Sequence, residues 1–136
     1  MAKEPGIVEQ FGKRYESAPD DAYSEVKRKI CGGRSWVNGY TTLAQTAILA
    51  ERLDLQPSTR LLDVGSGEGW PSLHLAIETG CRPVLTDVPG AALRSAVSRA
   101  TEEGVRDRCA FARASGAALP FRSASFDAVV HTDALC

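Results

Sequence analysis

Three glycines at alternate positions, Gly65, Gly67 and Gly69, lie in the run Leu61-Leu62-Asp63-Val64-Gly65-Ser66-Gly67-Glu68-Gly69. Glycines packed this densely free the backbone to take positive φ and let a ligand approach bare peptide groups. A second acid, Asp87, closes the run Leu85-Thr86-Asp87, 24 positions after Asp63. At the end of a second strand, that separation is where a carboxylate accepts hydrogen bonds from ribose hydroxyls. Together the two features suit a nucleoside. The dinucleotide fingerprint G-x-G-x-x-G needs a glycine at position 70, where this chain has Trp70, and no Gly-Lys-Ser/Thr follows to make a phosphate loop. Acids at both ends of the glycine loop favour a cationic, amino-acid-bearing ligand over a pyrophosphate. Purely structural roles compete: a tight turn with no ligand for the loop, and a cap on the next helix near Pro89 and Gly90 for Asp87.

Other side chains offer less. His131, Thr132 and Asp133 are the candidates for acid or base work near the same crevice, although a histidine at a strand end is more often packed than catalytic. His74 sits at helical spacing from Trp70 and Glu78 and reads as packed or solvated. The four cysteines, Cys31, Cys81, Cys109 and Cys136, are far apart with no C-x-x-C pair, so no metal site is expected and the thiols read as reduced and structural.

The elements that must hold these residues follow from periodicity. Arg60-Leu61-Leu62-Asp63-Val64 is a strand, and a helix follows from Pro71 to Glu78, with proline in its first turn where the missing N–H costs nothing. Pro83-Val84-Leu85-Thr86-Asp87-Val88 is a second strand. Residues 91–103 form a helix with Ala92, Leu93, Ala96, Val97 and Ala100 on its buried side, stopped by Gly104. A third strand covers residues 109–112 and a fourth residues 126–131, the latter after a loop carrying Leu119-Pro120-Phe121 and with no clear helix before it. Upstream, residues 41–53 form a helix with Leu43, Ala47 and Ala50 at helical spacing, capped by Thr41 or Thr42 and ended by Pro57. Strands alternating with helical crossovers imply parallel pairing, right-handed connections and a sheet covered on both faces. The expected class is α/β, a doubly wound Rossmann-like sheet behind an N-terminal helical arm. Residues 1–40 form that arm, polar and broken by glycine and proline, with a short helix over residues 20–30; residues 41–136 form the domain.

Composition narrows the partners. The chain has 136 residues, 43% apolar and 24% charged, with a net charge of −1, and no basic stripe that would track phosphates, so nucleic acid is not an expected partner. The N-terminus lacks the apolar core of a secretory signal, and no apolar run reaches the roughly 20 residues that cross a bilayer. The expectations are no membrane association and a cytoplasmic location.

Four motifs in order, the glycine loop with Asp63, Leu85-Thr86-Asp87-Val88, Ala117-Ala118-Leu119-Pro120-Phe121 and Ser125-Phe126-Asp127-Ala128-Val129-Val130, resemble those of class I S-adenosylmethionine-dependent methyltransferases, particularly the small-molecule type called methyltransferase type 11. The resemblance covers about residues 59–133. It implies S-adenosyl-L-methionine as cofactor and a small-molecule methyl acceptor. Asp63, Gly65, Ser66, Gly67 and Gly69 would line the methionine end, Asp87 would hold the ribose and Val88 would flank the adenine. Ser115, followed by Gly116, stands where the family usually has an acid bonded to the adenine amino group. His131 matches the position facing methyl donor and acceptor, and Trp36, Asn38, Gly39 and Tyr40 match an arm that can fold over the cofactor as a lid. The family fold continues past a fourth strand, in the order 3-2-1-4-5-7-6. A chain ending at Cys136 is expected to show 3-2-1-4, with an apolar strand-four edge open to pairing with a second copy. Two other readings stay open: a non-catalytic S-adenosylmethionine-binding module, favoured by Ser115, and a fragment of an NAD-dependent oxidoreductase, disfavoured by Trp70.

Overall fold

The computed structural model describes residues 39–132 and, before them, nine separate positions: Gly6, Glu9, Gln10, Lys13, Glu16, Ala22, Glu25, Val26 and Lys29. The expected helix over residues 20–30, the lid residues Trp36 and Asn38, Cys31, Asp133 and Cys136 lie outside the described residues or only partly within them.

The ordered body runs α1 (Leu43–Arg52), β1 (Arg60–Val64), α2 (Ser72–Thr79), β2 (Arg82–Asp87), α3 (Gly90–Glu102), a 3-10 turn (Arg106–Arg108), β3 (Ala110–Arg113) and β4 (Ala128–Val130). The four strands form one parallel sheet in the order β3-β2-β1-β4, with Leu62 opposite Val84 on one side and Val129 on the other. That is the order expected. Each strand boundary lies within about two residues of its expected place.

Which face each helix covers follows from the register. Leu61, Asp63, Leu85, Phe111 and Val130 share one face of the pleat, and Leu62, Val64, Thr86 and Val129 the other. Leu73 and Ala76 of α2, Ala96 and Ala100 of α3 and Leu43 of α1 pack together with Leu85 and Phe111. Leu75 of α2 and Ala50 of α1 join Leu61 and Val130 in an adjoining cluster. All three helices therefore lie on the first face. Two right-handed crossovers stepping the same way, β1 to β2 to β3, put both connecting helices on one side. The return from β3 past β1 to β4 belongs on the other side, and the chain there does approach it: a Cβ on Gly116 would stand 2.9 Å from Val64 Cγ1. Among the described residues that second face carries this irregular connection, with Phe121 edge-on to Phe126 at 5.0 Å, and no helix.

Local chemistry sets the helix ends. Thr42 caps α1: its hydroxyl accepts from Gln45 N at 3.2 Å while Gln45 Oε1 accepts from Thr42 N at 2.8 Å, a reciprocal capping box. The buried stripe of α1 passes through Leu43, Thr46 and Ala50, whereas Ala47, expected inside, is exposed, as is Ile48. Thr46 is tolerated in the interior because its hydroxyl donates to Leu43 O at 2.7 Å. α1 ends at Arg52, five residues before Pro57, because Asp54 turns the chain with φ of 47°. Gly80 closes α2 in the left-handed region, donating to Ala76 O at 3.0 Å. No helix of the described residues is long and apolar enough to cross a membrane.

Candidate functional site

The carboxyl ends of β1 and β2 meet at the glycine loop. Thr86 O accepts from both Gly65 N (2.8 Å) and Ser66 N (2.9 Å), so the end of β2 fixes where the loop leaves β1. The loop then turns tightly, Gly69 N donating to Ser66 O at 2.9 Å. Gly65, Gly67 and Gly69 have φ of 74°, 52° and 103°, values that side chains rarely adopt. At Gly69 a second constraint applies, because a Cβ would lie 2.6 Å from Leu73 Cδ1. The third glycine of the loop thus serves the packing of loop on helix that a dinucleotide fold obtains one position later.

Asp87 joins this loop directly. Its Oδ2 accepts from Gly67 N and its Oδ1 from Val88 N, both at 2.7 Å. Each oxygen keeps a further lone pair for another donor. The carboxylate is half-buried at the end of β2.

Asp63 sits deeper. It is fully buried on the helix-covered face, with Ser72 Oγ donating to its Oδ2 at 2.6 Å and Thr86 Oγ1 to its main-chain oxygen at 2.8 Å. Burial pushes its carboxyl up from 3.8 to about 7, with Ser72 pulling the other way and the charge of Asp87 adding a smaller upward push. Asp63 Oδ1 and Ser66 Oγ are buried without a hydrogen-bond partner in the described structure. They mark spare hydrogen-bonding capacity next to the loop, which a ligand with ammonium and hydroxyl donors fits.

The third wall comes from β3. Ala114 N donates to Asp87 O at 3.0 Å and Arg113 Nε to Val88 O at 2.8 Å, holding Val88 beside the crevice. Ser115 is exposed and its hydroxyl accepts from Ala117 N at 3.2 Å, while Gly116 allows the close approach to Val64 described above. His131 is exposed just beyond β4, on the same edge of the sheet. The structure therefore gathers Gly65, Ser66, Gly67, Gly69, Asp87 and Val88 at the carboxyl ends of β1 and β2, with Asp63 one residue deeper in β1, and leaves Ser115, Gly116 and His131 just past the ends of β3 and β4. His74 lies off this site, its ring 5.4 Å from that of Trp70.

Three interactions escape sequence reasoning. Arg99 of α3 reaches Glu68, Nη2 to Oε2 at 2.8 Å and Nη1 to the main-chain oxygen at 3.4 Å. Trp70 Nε1 donates to Thr41 O at 2.8 Å, fastening the start of α2 to the segment before α1. Thr86 ties β2 to the loop twice through its main-chain oxygen and to Asp63 O of β1 once through its hydroxyl. Nothing in local sequence pairs residues 20 to 31 positions apart; only the fold does. No cluster of three metal-ligating side chains occurs among the described residues.

A parallel sheet with a glycine loop and strand-end acid defines a nucleoside-binding α/β domain. Comparison with known proteins makes the class specific: residues 61–136 match the methyltransferase domain family model. The chain belongs to that family and to its class I, S-adenosylmethionine-dependent branch. It is 38% identical to Methyltransferase GfsG of Streptomyces halstedii over 84 residues, 62% of this chain and 30% of the relative. It is 30% identical to 27-O-demethylrifamycin SV methyltransferase of Amycolatopsis mediterranei over 129 residues, 88% of this chain and 46% of the relative. The chain thus spans less than half the length of either. The crystal structure of a methyltransferase from Geobacter sulfurreducens in complex with S-adenosyl-L-homocysteine superposes with a TM-score of 0.52 at 32% identity, over 58% of this chain and 32% of that one.

Proposed function

We propose that this chain forms the cofactor-binding half of a methyltransferase that transfers the methyl group of S-adenosyl-L-methionine to a small-molecule acceptor. The observation that carries the reading is the 2.7 Å contact between Asp87 and Gly67, which places the sugar-binding acid and the glycine loop in one crevice at the carboxyl edge of the sheet. In this reading the loop backbone of residues 65–69 serves the amino-acid end of the cofactor, Asp87 the ribose hydroxyls and Val88 the adenine. Ser115, with its hydroxyl hydrogen free to donate, lies at the adenine rim. Asp63 acts from beneath, keeping loop and α2 together through Ser72.

When bound, the cofactor supplies a methyl group already activated by its sulfonium. What the chain must add is placement, since holding two reactants in line removes much of the barrier. His131 is the group at the rim able to take a proton from an acceptor that must lose one. The rifamycin-modifying relative supports an acceptor of small-molecule type. The scattered cysteines, with Cys81 and Cys109 buried, suit a reducing, cytoplasmic setting. β4 ends the sheet among the described residues, and its outer edge is where a second copy would pair.

Titration calorimetry tests the cofactor assignment. S-adenosylmethionine and S-adenosylhomocysteine should bind in the micromolar range and NAD should not; a folded chain that ignores both sulfur nucleosides at millimolar concentration overturns it. A second reading, a binding module without catalysis, is favoured by Ser115, whose oxygen is engaged with Ala117 N. Methyl-transfer assays against candidate acceptors, run on a chain that binds the cofactor, separate the two.

A further inference from the structure

Beyond the main-chain bonds of Thr86 O to Gly65 and Ser66, side chains of the β2–α3 unit hold the glycine loop at two successive residues. Asp87 accepts from Gly67 N, and Arg99, twelve residues further along in α3, engages both the side chain and the main-chain oxygen of Glu68. These two anchors are not equivalent. Asp87 is the acid that a ribose would share, and a carboxylate spreading its charge over two further hydroxyl donors holds each partner less tightly. The Arg99–Glu68 contact uses neither Asp87 nor the Gly67 amide, so sharing Asp87 with a ribose takes nothing from it. It is also sheltered, with side chains only 20% and 17% exposed, unlike the open Lys13–Glu9 pair at 66% and 60%. Sheltered, charge-assisted contacts of 2.8 Å are the ones that hold geometry.

We infer that Arg99 is a positioning residue for the cofactor loop: by clamping Glu68 it keeps the loop in its positive-φ path while Asp87 divides its hydrogen bonds between Gly67 and the ribose. The inference rests on the nucleoside reading above.

The test is a double-mutant cycle on the full chain with S-adenosylhomocysteine as probe, read by calorimetry, alongside urea unfolding without ligand. Arg99→Met and Glu68→Gln should each weaken binding by roughly tenfold, and the double variant by little more than either alone, the sign that the two act as one unit. Arg99→Lys, which keeps the charge and one contact, should recover part of the loss. A merely structural pair would lower unfolding stability and leave the affinity of the folded fraction unchanged. Hydrogen exchange supplies a readout on folded protein: amides 67–69 should be protected in the complex of the wild type and exchange faster in that of Arg99→Met. The inference is overturned if the wild type binds and Arg99→Met binds within about twofold of it, or if the two losses simply add. If the wild type itself does not bind, the nucleoside reading has failed instead.

Discussion

Asp87 Oδ2 lies 2.7 Å from Gly67 N, so the acid at the end of β2 and the middle glycine of the loop after β1 form one unit before any ligand arrives. Two consequences follow for a single side chain. The carboxylate satisfies a loop amide, which otherwise would be left without a protein partner at a buried residue, and it presents its remaining lone pairs to the crevice. Stability and affinity therefore pass through the same group.

Asp87→Ala should cost both. Loss of two charge-assisted bonds, to Gly67 and Val88, should lower unfolding stability by about 1.5–3 kcal/mol, and S-adenosylhomocysteine affinity should fall at least about tenfold. Asp87→Asn keeps an acceptor for Gly67 N but not the charge, so it should recover more of the stability than of the affinity. Urea unfolding and calorimetry on the two variants measure the split. Equal recovery of both by asparagine would mean that the carboxylate matters to the loop alone.

The positive-φ glycines separate into those needed for conformation alone and those needed for space as well. Gly69 requires both, with φ of 103° and a Cβ position 2.6 Å from Leu73 Cδ1. Gly104 has φ of 71° and nothing within 4 Å of its Cβ position, so it isolates the conformational cost. Gly104→Ala should lose about 1 kcal/mol, and Gly69→Ala about 2–4 kcal/mol, since overpacking adds to strain. Thermal unfolding of both variants measures the difference, and equal losses would show that Leu73 moves aside without cost.

The parts of this architecture that were legible in the sequence are those fixed by short-range pattern. Alternating apolar runs and helical stretches placed all four strands, and the spacing of Gly65, Gly67, Gly69 and Asp87 located the crevice. Errors arose where tertiary contacts outweigh pattern. Thr46 is buried in place of Ala47 because its hydroxyl turns back onto Leu43 O, and α1 stops at a turn on Asp54 and not at Pro57. The Arg99 clamp and the bond from Trp70 to Thr41 were invisible because they join residues about 30 apart through a fold not yet known. The role of Gly116 was hidden for the same reason: its closeness to Val64 depends on which face the return to β4 crosses.

Burial also sets the reactivity of the thiols. Cys109 is raised to about 11, chiefly by desolvation, and Cys81 is raised for the same reason. Thiolate is the reactive species, so neither should be modified by an electrophile in the native protein at pH 8. Mass spectrometry after iodoacetamide treatment should find both unlabelled in buffer and labelled in urea. Rapid native labelling at Cys81 or Cys109 would contradict their placement in the core.

Asp63 makes stability depend on pH in a direction opposite to that of most carboxylates. Its folded-state value of about 7 lies above the ordinary 3.8, so between roughly pH 4 and 7 the folded chain holds a proton that the unfolded chain has released. Folding is therefore favoured in full below about pH 4, and this contribution is lost as pH rises through 7. A shift of about three units corresponds to at most about 4 kcal/mol, reduced in practice by local relaxation. Asp63→Asn removes the titration while leaving an oxygen to accept from Ser72 Oγ. Urea midpoints measured from pH 5 to pH 8 should fall in the wild type by an amount worth about 1–2.5 kcal/mol relative to Asp63→Asn, with the variant the more stable protein at pH 8. Parallel pH profiles for the two proteins would show that Asp63 stays ionised in the fold, and that something at the loop, such as an ordered cation or water, satisfies Oδ1.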